Sequence, residues 1–139
     1  MSAADRSIPN HSRSMLKAKV HRATVTHADV NYEGSLTMDR LLLEAADILE
    51  WEEVHVWNVT RGTRFRTYAM EGPTGSGIIC SNGAAAHLAK VGDIIIVATY
   101  THLNDADARK HKPRIVLVDK NNRISRTNFS EKPGPHSAS

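Results

Sequence analysis

The stretch from Met15 to Thr26 sets a period of two, and that period limits what the chain can become. Leu16, Ala18 and Val20 alternate with Lys17, Lys19 and His21. A strand puts every second residue on one face, whereas a helix does not. After His21-Arg22 the apolar face slips to Ala23 and Val25, which predicts a bulge or sharp bend within one long strand. Strand patterns return at Val54-His55-Val56-Trp57, Arg64 to Met70, Gly77 to Ser81, Ile94 to Thr101 and Arg114 to Asp119, and Ile124 opens a last short one. Turn residues separate them at Thr60-Arg61-Gly62, Asn82-Gly83, Val91-Gly92-Asp93 and Lys120-Asn121-Asn122. A helical period appears over Thr37 to Leu49, through Leu41, Leu42, Ala45 and Leu49, with Asp39 in the first turn. Ala84 to Ala89 reads as a short helix, and Asn104 to Lys112 as one further helical turn. Several short strands with two or three short helices predict a mainly-β domain closed as a small barrel. Closure hides edges that such apolar strands would otherwise expose.

With 139 residues the chain suits one domain with one core. Residues 1–14, with Pro9, Asn10 and several serines, and residues 127–139, with Pro133-Gly134-Pro135, are polar, so they are expected to be disordered and residues 15–126 to fold. Aromatic residues are 5% of the chain, so the core must rest on Val, Ile, Leu and Ala. The formal charge of +3 comes without a Lys/Arg block, which argues against a nucleic-acid partner. No apolar run approaches a membrane span, and residues 1–13 lack the apolar centre of a signal peptide. One cysteine, Cys80 in an apolar run, rules out an internal disulfide. A cytoplasmic location is expected. His21, His27, His55 and His87 lack a compact ligand spacing, so no metal is expected. The loop from Gly72 to Gly77 lacks the lysine and spacing of a phosphate loop.

Between the first strand and the helix pattern lies a polar turn, Tyr32-Glu33-Gly34-Ser35. Glycine can hold backbone conformations closed to other residues. A strained peptide there presents its carbonyl to the next side chain, and that side chain is the Ser35 hydroxyl. By itself the dipeptide reads as an ordinary solvated turn. The other polar candidates have equally plain readings. Tyr68 fits a half-buried packing residue, Arg64 and Arg66 a solvated strand face, and Lys19 a surface lysine. Thr67 fits an inward threonine, Asn82-Gly83 a hairpin turn, and Trp57 a core or subunit-interface residue.

Taken together, several words in the sequence resemble the pyruvoyl-dependent aspartate 1-decarboxylases. They are Lys19-Val20-His21-Arg22, Thr26-His27-Ala28-Asp29, Tyr32-Glu33-Gly34-Ser35, Trp57-Asn58-Val59-Thr60, Arg64-Phe65, Thr67-Tyr68-Ala69 and Asn82-Gly83-Ala84-Ala85-Ala86-His87. Their order and spacing match from about Met15 to Thr101, and the likeness fades beyond. The resemblance implies a double-psi β-barrel, assembled as a homotetramer with sites between neighbouring subunits. It implies that Ser35 Oγ attacks the Gly34 carbonyl to give an ester. Elimination and hydrolysis then leave a covalent pyruvoyl group at position 35 and two pieces, 1–34 and 35–139. L-aspartate would form a Schiff base with that group, lose CO2 and leave as β-alanine, a precursor of pantothenate and coenzyme A. The roles implied are Tyr68 as proton donor, Thr67 and Asn82 positioning Gly34, and Arg64 and Lys19 on the substrate's carboxylates. Backbone N–H groups at Gly83, Ala84 and Ala85 would serve a carboxylate as well, and His21 would line the pocket. Whether processing is unaided or needs an accessory maturation protein stays open. The competing reading is a non-enzymatic small β-barrel that binds nucleic acid or a protein partner, for which the pI of 9.2 is the support.

Overall fold

The computed structural model describes residues 11–33 and 35–135. Gly34 and both chain ends, residues 1–10 and 136–139, lie outside the described residues. The chain is mainly β. Its strands are β1 (Ser12–Thr24), β2 (His27–Asp29), β3 (Leu36–Asp39), β4 (Glu53–Asn58), β5 (Arg64–Gly72), β6 (Ile79–Asn82), β7 (Ile94–Asn104), β8 (Arg114–Val118) and β9 (Ile124–Arg126). Two short α-helices, α1 (Arg40–Ala46) and α2 (Asp105–Lys110), and a 3-10 helix (Gly83–His87) complete it. No helix among the described residues is long and apolar enough to cross a membrane.

The strands pair in the order β2-β6-β3-β5-β4-β7-β1-β8-β9. Ladder hydrogen bonds do not join the two ends of that order, so the expected closure is not made by strand pairing among the described residues. Three pairings are parallel: β1 with β8, β2 with β6, and β3 with β5. Each joins strands distant in sequence, which wraps the chain back over itself. Backbone bonds outside the ladders tighten the wrap, with Val25 N–H on Asp93 O (2.9 Å) and Thr26 N–H on Ile79 O (2.8 Å).

The slip read at His21-Arg22 is a real irregularity. The register of β1 against β7 shifts between Val20 and Ala23, and Arg22 takes a positive φ of 64°. A second shift falls between Leu16 and Ala18. β1 begins at Ser12, with Ser12 opposite Asn104, three residues before the expected start of the fold.

The helix pattern over Thr37 to Leu49 divides in two. Leu36 to Asp39 pair as β3, and only Arg40 to Ala46 are helical. Asp39 is the reason: its carboxylate caps α1 by accepting Leu41 N–H (2.9 Å) and also accepts Gly75 N–H (2.9 Å) and Gly77 N–H (2.8 Å). A residue so committed starts a helix rather than continuing one. The buried face of α1 is accordingly Leu42, Leu43 and Ala46, while Leu41 is exposed. Asp47 ends it in the left-handed region, and Leu49 lies beyond, exposed.

The core is aliphatic, as the low aromatic content requires. Val20, Val25, Leu36, Met38, Val54, Val56, Ile79, Ile95 and Val97 are all at most 1% exposed. Leu42 and Leu43 of α1 close one side of it.

Candidate active site

Ser35 leads into β3, third in the strand order, between β6 on one side and β5 on the other. Two neighbours fix it. Its carbonyl accepts the Asn82 N–H (2.8 Å), and its hydroxyl shares a hydrogen bond with the Thr67 hydroxyl. Leu36 lies opposite Ala69 in the parallel β3–β5 pair, which brings the start of β3 beside Thr67 and Tyr68 of β5.

Asn82 is the last residue of β6, buried and extended (φ −117°, ψ 153°). It is the cap position of the 3-10 helix, so the hairpin reading of Asn82-Gly83 is incorrect: the chain leaves β6 into a helical turn. Gly83 takes φ +61°, and an added Cβ would lie 3.4 Å from the Tyr32 carbonyl. The Asn82 side chain is oriented by two residues that the sequence did not single out. Cys80 Sγ–H donates to its Oδ1 (3.0 Å), and its Nδ2 lies 3.4 Å from Thr37 Oγ1. All four residues of β6 are buried, so this strand shows no alternation from which such roles could be read. Burial pushes the Cys80 thiol above its ordinary pKa, which outweighs the Asn82 hydrogen bond and keeps it a thiol at neutral pH.

Beside this centre is a cavity of about 810 Å3, lined by the Thr26–Glu33 segment together with Thr37, Cys80 and Asn82. A second network centres on Asn58 of the Trp57-Asn58-Val59-Thr60 word. Buried Asn58 donates to Leu88 O (2.9 Å) and Asp93 Oδ2 (2.8 Å), and Asp93 also accepts Arg61 Nε–H (2.6 Å). That network holds the end of the 3-10 helix, while Ser81 Oγ–H on Ala89 O (2.6 Å) ties it to β6. Gly83, Ala84 and Ala85 form its first turn, where backbone N–H groups have no partner within the helix.

The remaining candidates are not gathered at Ser35. Tyr68 follows Thr67 on β5 and so leaves by the opposite face, where it stacks on Trp51 (centroids 5.6 Å apart). Arg64 starts the same strand with its guanidinium 5.2 Å over the Trp57 ring. Lys19 is on β1, four places from β3 in the strand order, and its ammonium pairs with the Glu131 carboxylate. His21 lies two residues on. Its Nδ1 is buried and has no hydrogen-bond partner among the described residues, and its pKa is lowered by burial first and by the Lys19 charge second.

A small mixed β fold that pins one serine between two strands, with a threonine hydroxyl on its Oγ and an asparagine N–H on its carbonyl, defines a chain built around that serine. The family model described as aspartate decarboxylase matches residues 11–125. The chain belongs to that family. It is 57% identical over 123 residues to the aspartate 1-decarboxylase of Myxococcus xanthus, covering 88% of this chain and 95% of that one. The aspartate 1-decarboxylase of Rhodopirellula baltica is 60% identical over 113 residues, covering 81% and 72%. That of Xanthomonas campestris (strain B100) is 56% identical over 117 residues, covering 84% and 93%. A non-enzymatic binding barrel is not favoured by these matches.

Proposed function

We propose that the chain is a self-processing, pyruvoyl-dependent aspartate 1-decarboxylase that makes β-alanine and CO2 from L-aspartate in the cytoplasm, toward pantothenate and coenzyme A. The observation that carries this is the placement of Ser35: its hydroxyl is held by Thr67, and its carbonyl accepts the N–H of Asn82, a residue that lines the 810 Å3 cavity.

Thr67 orients Ser35 Oγ and can take part in the proton shift that a nucleophilic hydroxyl requires. The Asn82 N–H fixes the Ser35 peptide, and its side-chain amide, turned by Cys80 and Thr37, is the donor suited to a carbonyl oxygen that gains negative charge. The products would be residues 1–34, ending in Gly34, and 35–139. A piece of 34 residues has no core of its own. It stays because β1 pairs along β7 and β8, and β2 along β6, all in the other piece. The residues fit a covalent ketone at position 35, since that position is held by Thr67 on its side chain and by Asn82 on its carbonyl. A pyruvoyl group there would supply the electron sink that no ordinary side chain offers for the electrons left on the α-carbon.

Substrate recognition falls to cations. Arg64 offers a two-pronged donor and Lys19 a point charge for the two carboxylates, with backbone N–H groups at Gly83, Ala84 and Ala85 as a further cradle. Tyr68 is assigned the proton donated to the α-carbon, and His21 lines the pocket. Arg64, Lys19 and Tyr68 are engaged with Trp57, Glu131 and Trp51 of their own chain and not with Ser35, which suits a homotetramer of double-psi barrels whose sites lie between subunits. Exposed Leu49 and Trp51 (71% and 68%) at the β4–β5 end supply apolar surface for such an assembly. The test is turnover. Purified protein incubated with L-aspartate should release β-alanine, and the Ser35→Ala variant should release none. Processed protein that leaves aspartate untouched would sink the assignment.

A further inference from the structure

The C-terminal segment beyond β9 does not trail away from the fold. Phe129 N–H donates to Ile115 O of β8 (3.2 Å), and the Arg126 guanidinium lies 5.6 Å over the Phe129 ring. Ile115 is the residue that Lys19 faces in the parallel β1–β8 pair. This anchor therefore carries Glu131 across to Lys19, where its carboxylate forms the ion pair already described. The Lys19 side chain is 11% exposed under this strap and Glu131 46%.

The strap lies between two surface cavities. On one side is a cavity of about 680 Å3 lined by His21, Leu117 and residues 126–132. On the other is one of about 520 Å3, lined by Lys112 to Ile115 and Asn128 to Glu131. Both fall in the range of about 300–1,000 Å3 that small-molecule sites occupy. His21, two residues from Lys19, also lines the larger one. A nearly buried ammonium suits a carboxylate, and a carboxylate of the chain itself is what sits on it.

We propose that the segment Thr127–Lys132 is a built-in competitor for the substrate's carboxylate, with Glu131 occupying Lys19 until aspartate displaces it. The proposal rests on the reading of Lys19 as a substrate-carboxylate residue. With the Glu131 carboxylate 46% exposed, water reaches the pair from one side and a small dicarboxylate can exchange for it. The strap would thus raise the aspartate concentration needed for half-saturation without touching the chemical step.

The experiment uses the processed enzyme with three changes: Glu131→Gln, termination after Arg126, and Lys19→Ala. KM and kcat for aspartate are measured, and so is the Kd of succinate, a dicarboxylate with no amino group to react, by calorimetry. Glu131→Gln and the truncation should each lower KM and the succinate Kd by about two- to fivefold with kcat unchanged. Lys19→Ala should raise both constants, and adding Glu131→Gln to it should change nothing further. If Lys19→Ala raises them while Glu131→Gln and the truncation leave them unchanged, the strap proposal is overturned and the Lys19 reading stands. If Lys19→Ala leaves both constants unchanged, the Lys19 reading falls and the strap proposal falls with it.

Discussion

Ser35 and Lys19 stand in opposite situations. Ser35 is surrounded by groups from its own chain that suit one chemical event: Thr67 on its hydroxyl, Asn82 on its carbonyl, Cys80 and Thr37 behind Asn82. Lys19 sits four strands away with a carboxylate of the tail on it, and Arg64 and Tyr68 rest on tryptophan rings. On the proposed reading the first region would act within one chain, because the bond to be broken belongs to that chain. The second is dispersed, which suits residues proposed to meet their target across a subunit boundary. Cleavage and catalysis would then ask for different levels of organisation, folding for one and assembly for the other.

The sharpest way to break this contrast is at Thr67. Thr67→Val keeps the shape and removes the hydroxyl that holds Ser35, so cleavage should slow by about a hundredfold or more. The fraction cut, followed by denaturing gel after expression, measures it. Cleavage at the normal rate would mean that the Ser35 centre is not what the geometry indicates.

The dispersed half is tested by complementation. Ser35→Ala and Arg64→Ala homomers should each be nearly inactive. Co-expressed, they should recover β-alanine production, since a site with one chain's position 35 and the other's Arg64 is then intact. No recovery in verified mixed oligomers would place Arg64 with Ser35 of the same chain.

A smaller effect separates scaffold from site. Asp39 is buried, which raises a carboxyl pKa, but N–H bonds from Gly77, Leu41 and Gly75 and the Arg123 charge more than reverse this and hold it below its ordinary value. Asp93 is likewise raised by burial and lowered further by Arg61, Asn58 and Lys90. With the folded value depressed, this stability is fully present above the unfolded aspartate value of about 4 and is lost as pH falls below it. Asp39→Ala should cost about 2–4 kcal/mol and lower Tm by about 10 °C. Asp39→Asn should flatten the decline in urea stability between pH 5 and pH 3, windows set about the ordinary carboxylate range. The smallest change expected is Cys80→Ala. It removes a weak S–H donor from Asn82 and should slow cleavage by about two- to tenfold.

The sequence carried the β class and the irregularity at His21-Arg22, and it marked Ser35 as the residue to test. Those signals are local: a period of two, a slip of one residue, a short word. What it hid depends on long-range partners. Asp39 reads as a first-turn acid within a helix, and only the distant Gly75 and Gly77 N–H groups reveal why the helix starts at Arg40. Asn82-Gly83 reads as a hairpin because the dipeptide is common in one, yet β6 is paired to β2 and β3 instead of to a following strand. Cys80 and Thr37 carry no periodic signal, since their strands are buried on both faces or nearly so. The grip of the tail on β8 and Lys19 has no local signature in a stretch of Ser, Pro and Gly.

The central claim is that the backbone parts between Gly34 and Ser35 and leaves a ketone on the larger piece. Intact mass spectrometry of the denatured protein measures this directly. The account predicts two species, residues 1–34 and residues 35–139, the latter beginning with a pyruvoyl group instead of serine. A single uncut chain of 139 residues that turns over aspartate would contradict it.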